Sequence, residues 1–111
     1  MKMPAEMKAK WLEALRSGKY KQGKGYLETK EGSFCCLGVL QKVTEGHCEN
    51  YSAPSPEWYK KHGIDLDQEE GYLKDEIEVK LMNMNDGTGE REHSFLEIAD
   101  FIEENVGTTS E

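Results

Sequence analysis

With 111 residues, 36% of them hydrophobic, and a mean hydropathy of −0.80, the chain can fill one modest core and not two. Its formal charge of −8 is unevenly spread: residues 1–30 carry eight Lys or Arg against three acidic residues, a net +5, whereas residues 31–111 carry six against nineteen, a net −13. The acidic remainder repels phosphates, so duplex nucleic acid is not an expected partner; no apolar run reaches the roughly 18 residues of a membrane span, and an odd set of three cysteines makes no disulfide framework.

The opening MKMPAEMKAKW lacks the continuous apolar stretch of a signal peptide, which points to a soluble protein of the cytoplasm. From Pro4, suited to a first helical turn, Met7, Trp11, Ala14 and Leu15 recur as one apolar stripe and predict a helix over 4–17. Gly18 closes it, and Arg16 in the last turn complements the helix dipole. In KYKQGKGYLETKEGSF, Gly23 and Gly25 interrupt, Tyr26, Leu27 and Thr29 favour extended backbone, and Lys30-Glu31-Gly32 reads as a turn, so a short β-hairpin is expected over about 20–34. The most apolar run, GSFCCLGVL, leads into a buried helix over about 35–45 that ends at Gly46.

Residues 47–74 hold Pro54, Pro56 and scattered anchors at Tyr51, Trp58, Tyr59, Ile64, Leu66, Tyr72 and Leu73, and predict an ordered, mostly irregular excursion. Two helices follow, over about 76–85 and 95–106. Asp75 caps the first, whose stripe is Ile77, Leu81 and Met84 with Val79 and Met82 on its flanks, and Asn85-Asp86-Gly87 ends it. Ser94 and Glu97 form a capping box for the second, which buries Phe95, Ile98, Ala99, Phe101 and Ile102. The terminal GTTSE is expected to fray. The expected fold is α+β: one small, mainly helical domain with a short β-hairpin.

Three stretches, WLEALRSGKYKQGKGYL, SFCCLGVLQKV and LMNMNDGTGEREHSFLEIADFIEENV, in this order and spacing, resemble a widespread family of small proteins encoded by bacteriophages and prophages. Its members open with a Trp helix ending in an LRSGxYxQG-like turn, carry FCCLGVL, and finish with an LNDxG turn and a SFxEIADxIE helix. The likeness covers nearly the whole chain and departs most over 47–74. It implies a phage accessory protein of unassigned activity, acting in the host cytoplasm, and hands over no catalytic residues.

Adjacent cysteines point to different sides of a helix or strand, so Cys35 and Cys36 are not a zinc knuckle, and adding His47 and Cys48 gives a spacing that matches no common site. Their apolar neighbours raise a thiol pKa rather than lower it, so both are expected to be small core residues and not nucleophiles. His47, His62 and His93 lie in turns or at boundaries with no hydrolase-like partner, and the acidic clusters Asp65-Asp67-Glu69-Glu70 and Glu90-Glu92 lack the calcium-loop pattern. No metal, cofactor or enzymatic activity is therefore expected.

RSGKYKQGKG is the one stretch with the makings of a site. Arg16, Lys19, Lys21 and Lys24 can hold phosphate oxygens, Tyr20 can stack on a base, and Gln22 can read a base edge, on backbone loosened by three glycines. It is neither a Walker loop nor a dinucleotide fingerprint, and a helix cap followed by a solvated strand accounts for it equally well. Two functions are carried forward: a non-enzymatic module that binds a small anionic ligand such as a nucleotide through residues 16–25, and an acidic interaction module, or nucleic-acid mimic, that docks on a host protein.

Overall fold

In a computed structural model of the protein, which describes residues 1–66 and 75–109, strand β1 (Lys2–Pro4) runs directly into helix α1 (Ala5–Ser17). Trp11, Ala14 and Leu15 are buried, and Gly18 closes the helix at a φ of 77°, in the left-handed region where a side chain is strained. Helix α2 (Cys36–Glu45) is buried continuously from Cys36 to Gln41, which explains why its sequence reads as an apolar run rather than a stripe. α1 lies against α2, and the indole Nε1 of Trp11 donates to the Cys36 carbonyl at 2.9 Å, so the fully buried ring is satisfied at its polar end.

The excursion after α2 contains a helix that the sequence pattern does not announce. Ser55 caps it by accepting from the Trp58 N–H at 3.2 Å, Pro56 occupies its first turn, and α3 (Pro56–Lys61) buries Trp58 and Tyr59. Fewer than two turns carry no detectable stripe, so one short helix is added to the described part, 47–66, of the stretch expected to be mostly irregular. α3 is tied to α2 by one carboxylate: Glu45 accepts from Trp58 Nε1 at 3.1 Å and from Lys61 Nζ at 2.7 Å, and His62 Nε2 lies 3.0 Å away. The Lys61 ammonium is the main reason that the Glu45 carboxyl is held down at about 2. Tyr72, Leu73, Asp67, Glu69 and Glu70 lie outside the described residues.

Helix α4 (Glu76–Asp86) begins where Asp75 accepts from the N–H groups of Ile77 and Glu78. The other Asp75 oxygen pairs with the Met1 ammonium at 3.0 Å, both groups fully buried, a long-range contact that no local pattern announces. Helix α5 (Phe95–Asn105) carries the expected Ser94–Glu97 capping box and buries Phe95, Ile98, Ala99 and Ile102, while Phe101 is only half-buried. α5 packs on α1, and α4 on both α2 and α5.

The class is α+β and mainly helical, but its β structure is not where the hairpin was expected. Strand β2 (Gly107–Thr109) pairs with β1 in parallel, Met3 opposite Thr108, so the described part of the segment expected to fray, 107–109, instead closes the fold. Buried Met1, Met3 and Val106 draw the two ends together, and Lys8 Nζ donates to the Val106 carbonyl at 2.6 Å. Over 20–34 the turn at Lys30-Glu31-Gly32 is present, with Gly32 N–H bonded to Thr29 O at 3.0 Å, but no ladder extends from it. Phe34 instead makes isolated bridges to both Gln22 and Glu28. One continuous strand cannot form because Gly25 turns at a φ of 85° and Gly23 approaches Ser33 so closely that a Cβ would stand 2.3 Å from its Oγ.

Candidate functional site

The three sequence stretches that carry the family likeness meet at one buried amide. Asn85, fully buried at the end of α4, accepts through Oδ1 from Gln22 Nε2 at 3.0 Å and from the Cys36 N–H at 3.2 Å. Through Nδ2 it donates to the Gly23 carbonyl at 2.8 Å and to Asp86 Oδ1 at 2.9 Å. Gln22 extends the network, donating to the His93 carbonyl at 2.8 Å and accepting from the Phe95 N–H at 3.1 Å. The glycine-spaced turn, the start of α2, the end of α4 and the start of α5 are thus held by paired amides, which is the chemistry a buried polar cluster requires.

The cysteines belong to the same junction. Cys35 caps α2, its Sγ accepting from the Gly38 N–H at 3.4 Å, and burial pushes its thiol up to about 11. Cys36 is fully buried with Sγ 3.7 Å from the Leu81 carbonyl, and burial raises its thiol well above the ordinary range. Cys48 is half-buried, donates to the Gly38 carbonyl at 3.2 Å, and is pushed up to about 11, again chiefly by burial. None is a thiolate at neutral pH. A thiol reagent at neutral pH is expected to leave Cys35 and Cys36 unmodified in the native protein and to modify all three once it is denatured; rapid native labelling of Cys35 or Cys36 would contradict their place in the core.

The six candidate ligand residues do not converge. Arg16 bonds Asp100 at 2.9 Å and Glu103 at 2.7 Å across to α5, and Lys24 pairs with Glu92 at 2.8 Å. Gln22 is the clip described above rather than a reader of bases. Tyr20 is half-buried and packs edge-on against Phe34, ring centroids 5.6 Å apart. Lys19 and Lys21 are exposed, and their ammonium groups make no ion pair or hydrogen bond among the described residues.

Lys19 and Tyr20 do share a cleft. It measures ≈ 250 Å³ and runs between the second half of α1 and the end of α2, lined by Lys10, Glu13, Ala14, Ser17, Lys19, Tyr20 and Val43. Lys10, like Lys19, is exposed and has no side-chain partner among the described residues. Lys10 is not among the six sequence candidates, and no local pattern singles it out. The cleft therefore presents two cations, one carboxylate in Glu13, one aromatic ring and an apolar floor, while Arg16 and Lys24 lie outside it.

Among the described residues, no three His, Cys, Asp or Glu side chains are arranged to hold a metal ion, and no helix is long and apolar enough to cross a membrane. No curated protein and no solved structure matches this chain. A family model matches residues 3–69, the part that builds α1, α2, α3 and the cleft. The chain belongs to that family, which is described as a domain of unknown function, DUF8296.

Proposed function

We propose that this protein is a phage-encoded accessory protein, without enzymatic activity of its own, that binds a small anionic ligand such as a nucleotide in the cleft between α1 and α2. The observation that carries this reading is that Lys10 and Lys19, both lacking partners among the described residues, line the same ≈ 250 Å³ cleft as Tyr20. Two ammonium groups hold a phosphate as point charges, and a tyrosine beside them offers a face or edge to a ring. The volume falls just below the roughly 300–1,000 Å³ of typical small-molecule pockets, which suits one ring with one phosphate.

The rival reading, an acidic surface that imitates nucleic acid, draws less support. Asp100 and Glu103 are paired with Arg16, Glu92 with Lys24 and Glu97 with Arg91, so much of the acidic surface near α5 is locally neutralised. Calorimetric titration with adenosine monophosphate tests the first reading. Binding is expected to weaken at least tenfold in a Lys10→Ala, Lys19→Ala double variant and to fall with added salt, while Arg16→Ala and Lys24→Ala bind as the wild type does. Unchanged affinity in the double variant, or no binding by the wild type, would overturn it.

A further inference from the structure

The cleft does not end at Lys10. A second cavity of ≈ 200 Å³, lined by Pro4, Glu6, Met7, Lys10, Val43 and Thr44, meets the first at Lys10 and Val43, which line both. Glu6, Met7, Lys10, Glu13, Ala14 and Ser17 recur at helical spacing along one face of α1, so the two cavities follow a single line of roughly 16 Å, at about 1.5 Å of rise per residue. One nucleotide fills only part of that length.

The order of chemistry along this line restricts what fits. Lys10 stands at the junction, with Glu13 and Lys19 on one side and Glu6 on the other. A ligand charged along its whole length would set anions against both carboxylates. Lys19 offsets Glu13 in the first lobe, so negative charge is accommodated beside Lys10 on the side toward Lys19, while the second lobe, with Glu6 and no cation beyond Lys10, favours a neutral group with N–H or O–H donors. Each lobe also has apolar surface for a ring, Ala14 and Tyr20 in one and Pro4 and Met7 in the other.

The second lobe shows an unmet requirement of its own. Thr44 Oγ1 is screened from solvent and has no hydrogen-bond partner among the described residues, in a fold whose amides Gln22, Gln41 and Asn85 are all paired. Burying a hydroxyl without a partner is unfavourable, and since Thr44 itself lines this lobe, a turn of its side chain about Cα–Cβ would bring the hydroxyl to a polar ligand atom there.

Resting on the reading of the cleft as an anion site, we infer that its ligand is of the dinucleotide class: two neutral, hydrogen-bonding ring systems joined by one central phosphodiester held at Lys10. Each ring occupies one lobe, and Thr44 serves the lobe beyond Met7.

The test is to titrate the full chain with adenosine monophosphate and with the dinucleoside monophosphate ApA. ApA is expected to bind at least tenfold more tightly. Met7→Trp, which fills the second lobe, should bring ApA down to the affinity of the mononucleotide and leave the mononucleotide itself within twofold. Thr44→Val, nearly isosteric, should weaken ApA several-fold without lowering the melting temperature, since the hydroxyl it removes has no partner among the described residues. If the mononucleotide binds and ApA binds no more tightly, or if a folded Met7→Trp protein keeps the tenfold preference, the dinucleotide inference is overturned while the anion site stands. If neither ligand binds, both are overturned.

Discussion

Replacing Gly38 by alanine is expected to lower the melting temperature by more than about 12 °C, or to prevent folding, although helix propensity alone argues for the opposite sign. Gly38 lies inside α2, where exchanging glycine for alanine in an open helix gains about 1 kcal/mol. Here a Cβ would stand 1.8 Å from the Leu27 carbonyl oxygen and 2.6 Å from its carbon. Both neighbours are backbone, so no side-chain rotation relieves the overlap. Nor can Leu27 retreat easily: it is fully buried, its N–H is bonded to the Tyr51 carbonyl at 2.9 Å, and its own carbonyl accepts from the Cys35 N–H at 3.3 Å. Overpacking a core costs about 1–3 kcal/mol when side chains can yield, and a backbone clash belongs at or above the top of that range. At roughly 4–6 °C per kcal/mol for a domain near this size, thermal melting reads the result directly. Gly46→Ala is the control. That position is left-handed at a φ of 89° with nothing within 4 Å of the added carbon, so only the conformational term of about 1–2 kcal/mol applies. Equal effects at the two sites would show that α2 does not depend on its contact with Leu27.

The elements that could be read from sequence are those whose causes are local. The Ser94–Glu97 box, the Asp75 cap, and Gly18 and Gly46 at helix ends each act within one turn, and each is found in place. What could not be read depends on partners distant in sequence. Three residues near each end of the chain form the sheet, a pairing across more than a hundred positions that three-residue strands cannot signal. Gln22 illustrates the limit for function. A side-chain amide in a basic, glycine-spaced turn has the same appearance in sequence whether it reads a base or clips two helices, and only the positions of Asn85, His93 and Phe95 decide between them. Lys10 shows the converse. Nothing in the sequence marks it out, because Val43, the residue that makes its surroundings a cleft, lies on another helix. The cysteines were legible because burial follows from their neighbours in the chain, and the same burial keeps them protonated.

Asn85→Ala is expected to be the most damaging polar substitution among those considered, lowering stability by roughly 3–5 kcal/mol. It leaves the Cys36 N–H and the Gly23 carbonyl without the partner that Asn85 supplies, each worth about 1–3 kcal/mol when buried and unmet, and it removes one of the two acceptors of Gln22 Nε2. Against a total stability of about 5–15 kcal/mol for a natural domain, this removes a large fraction. Asn85→Asp separates donor from acceptor. The Oδ1 acceptor survives, but the donor to Gly23 is lost and a carboxylate is placed where Nδ2 lies 2.9 Å from Asp86 Oδ1. Two neighbouring carboxylates in a buried site hold one pKa above its unfolded value, so the folded Asn85→Asp protein binds more protons than its unfolded chain and loses stability as pH rises through the carboxylate range. Urea melts of Asn85→Asp should therefore improve relative to wild type on acidification, whereas those of Asn85→Ala should show no such recovery. The cleft provides the further distinction. Asn85 braces the turn that follows Tyr20 but does not line the cleft, so ligand affinity measured on the folded fraction of either variant should stay close to wild type. A loss of binding in fully folded Asn85→Asp would instead make the amide network part of the site, and would bring Gln22 back as a candidate ligand residue.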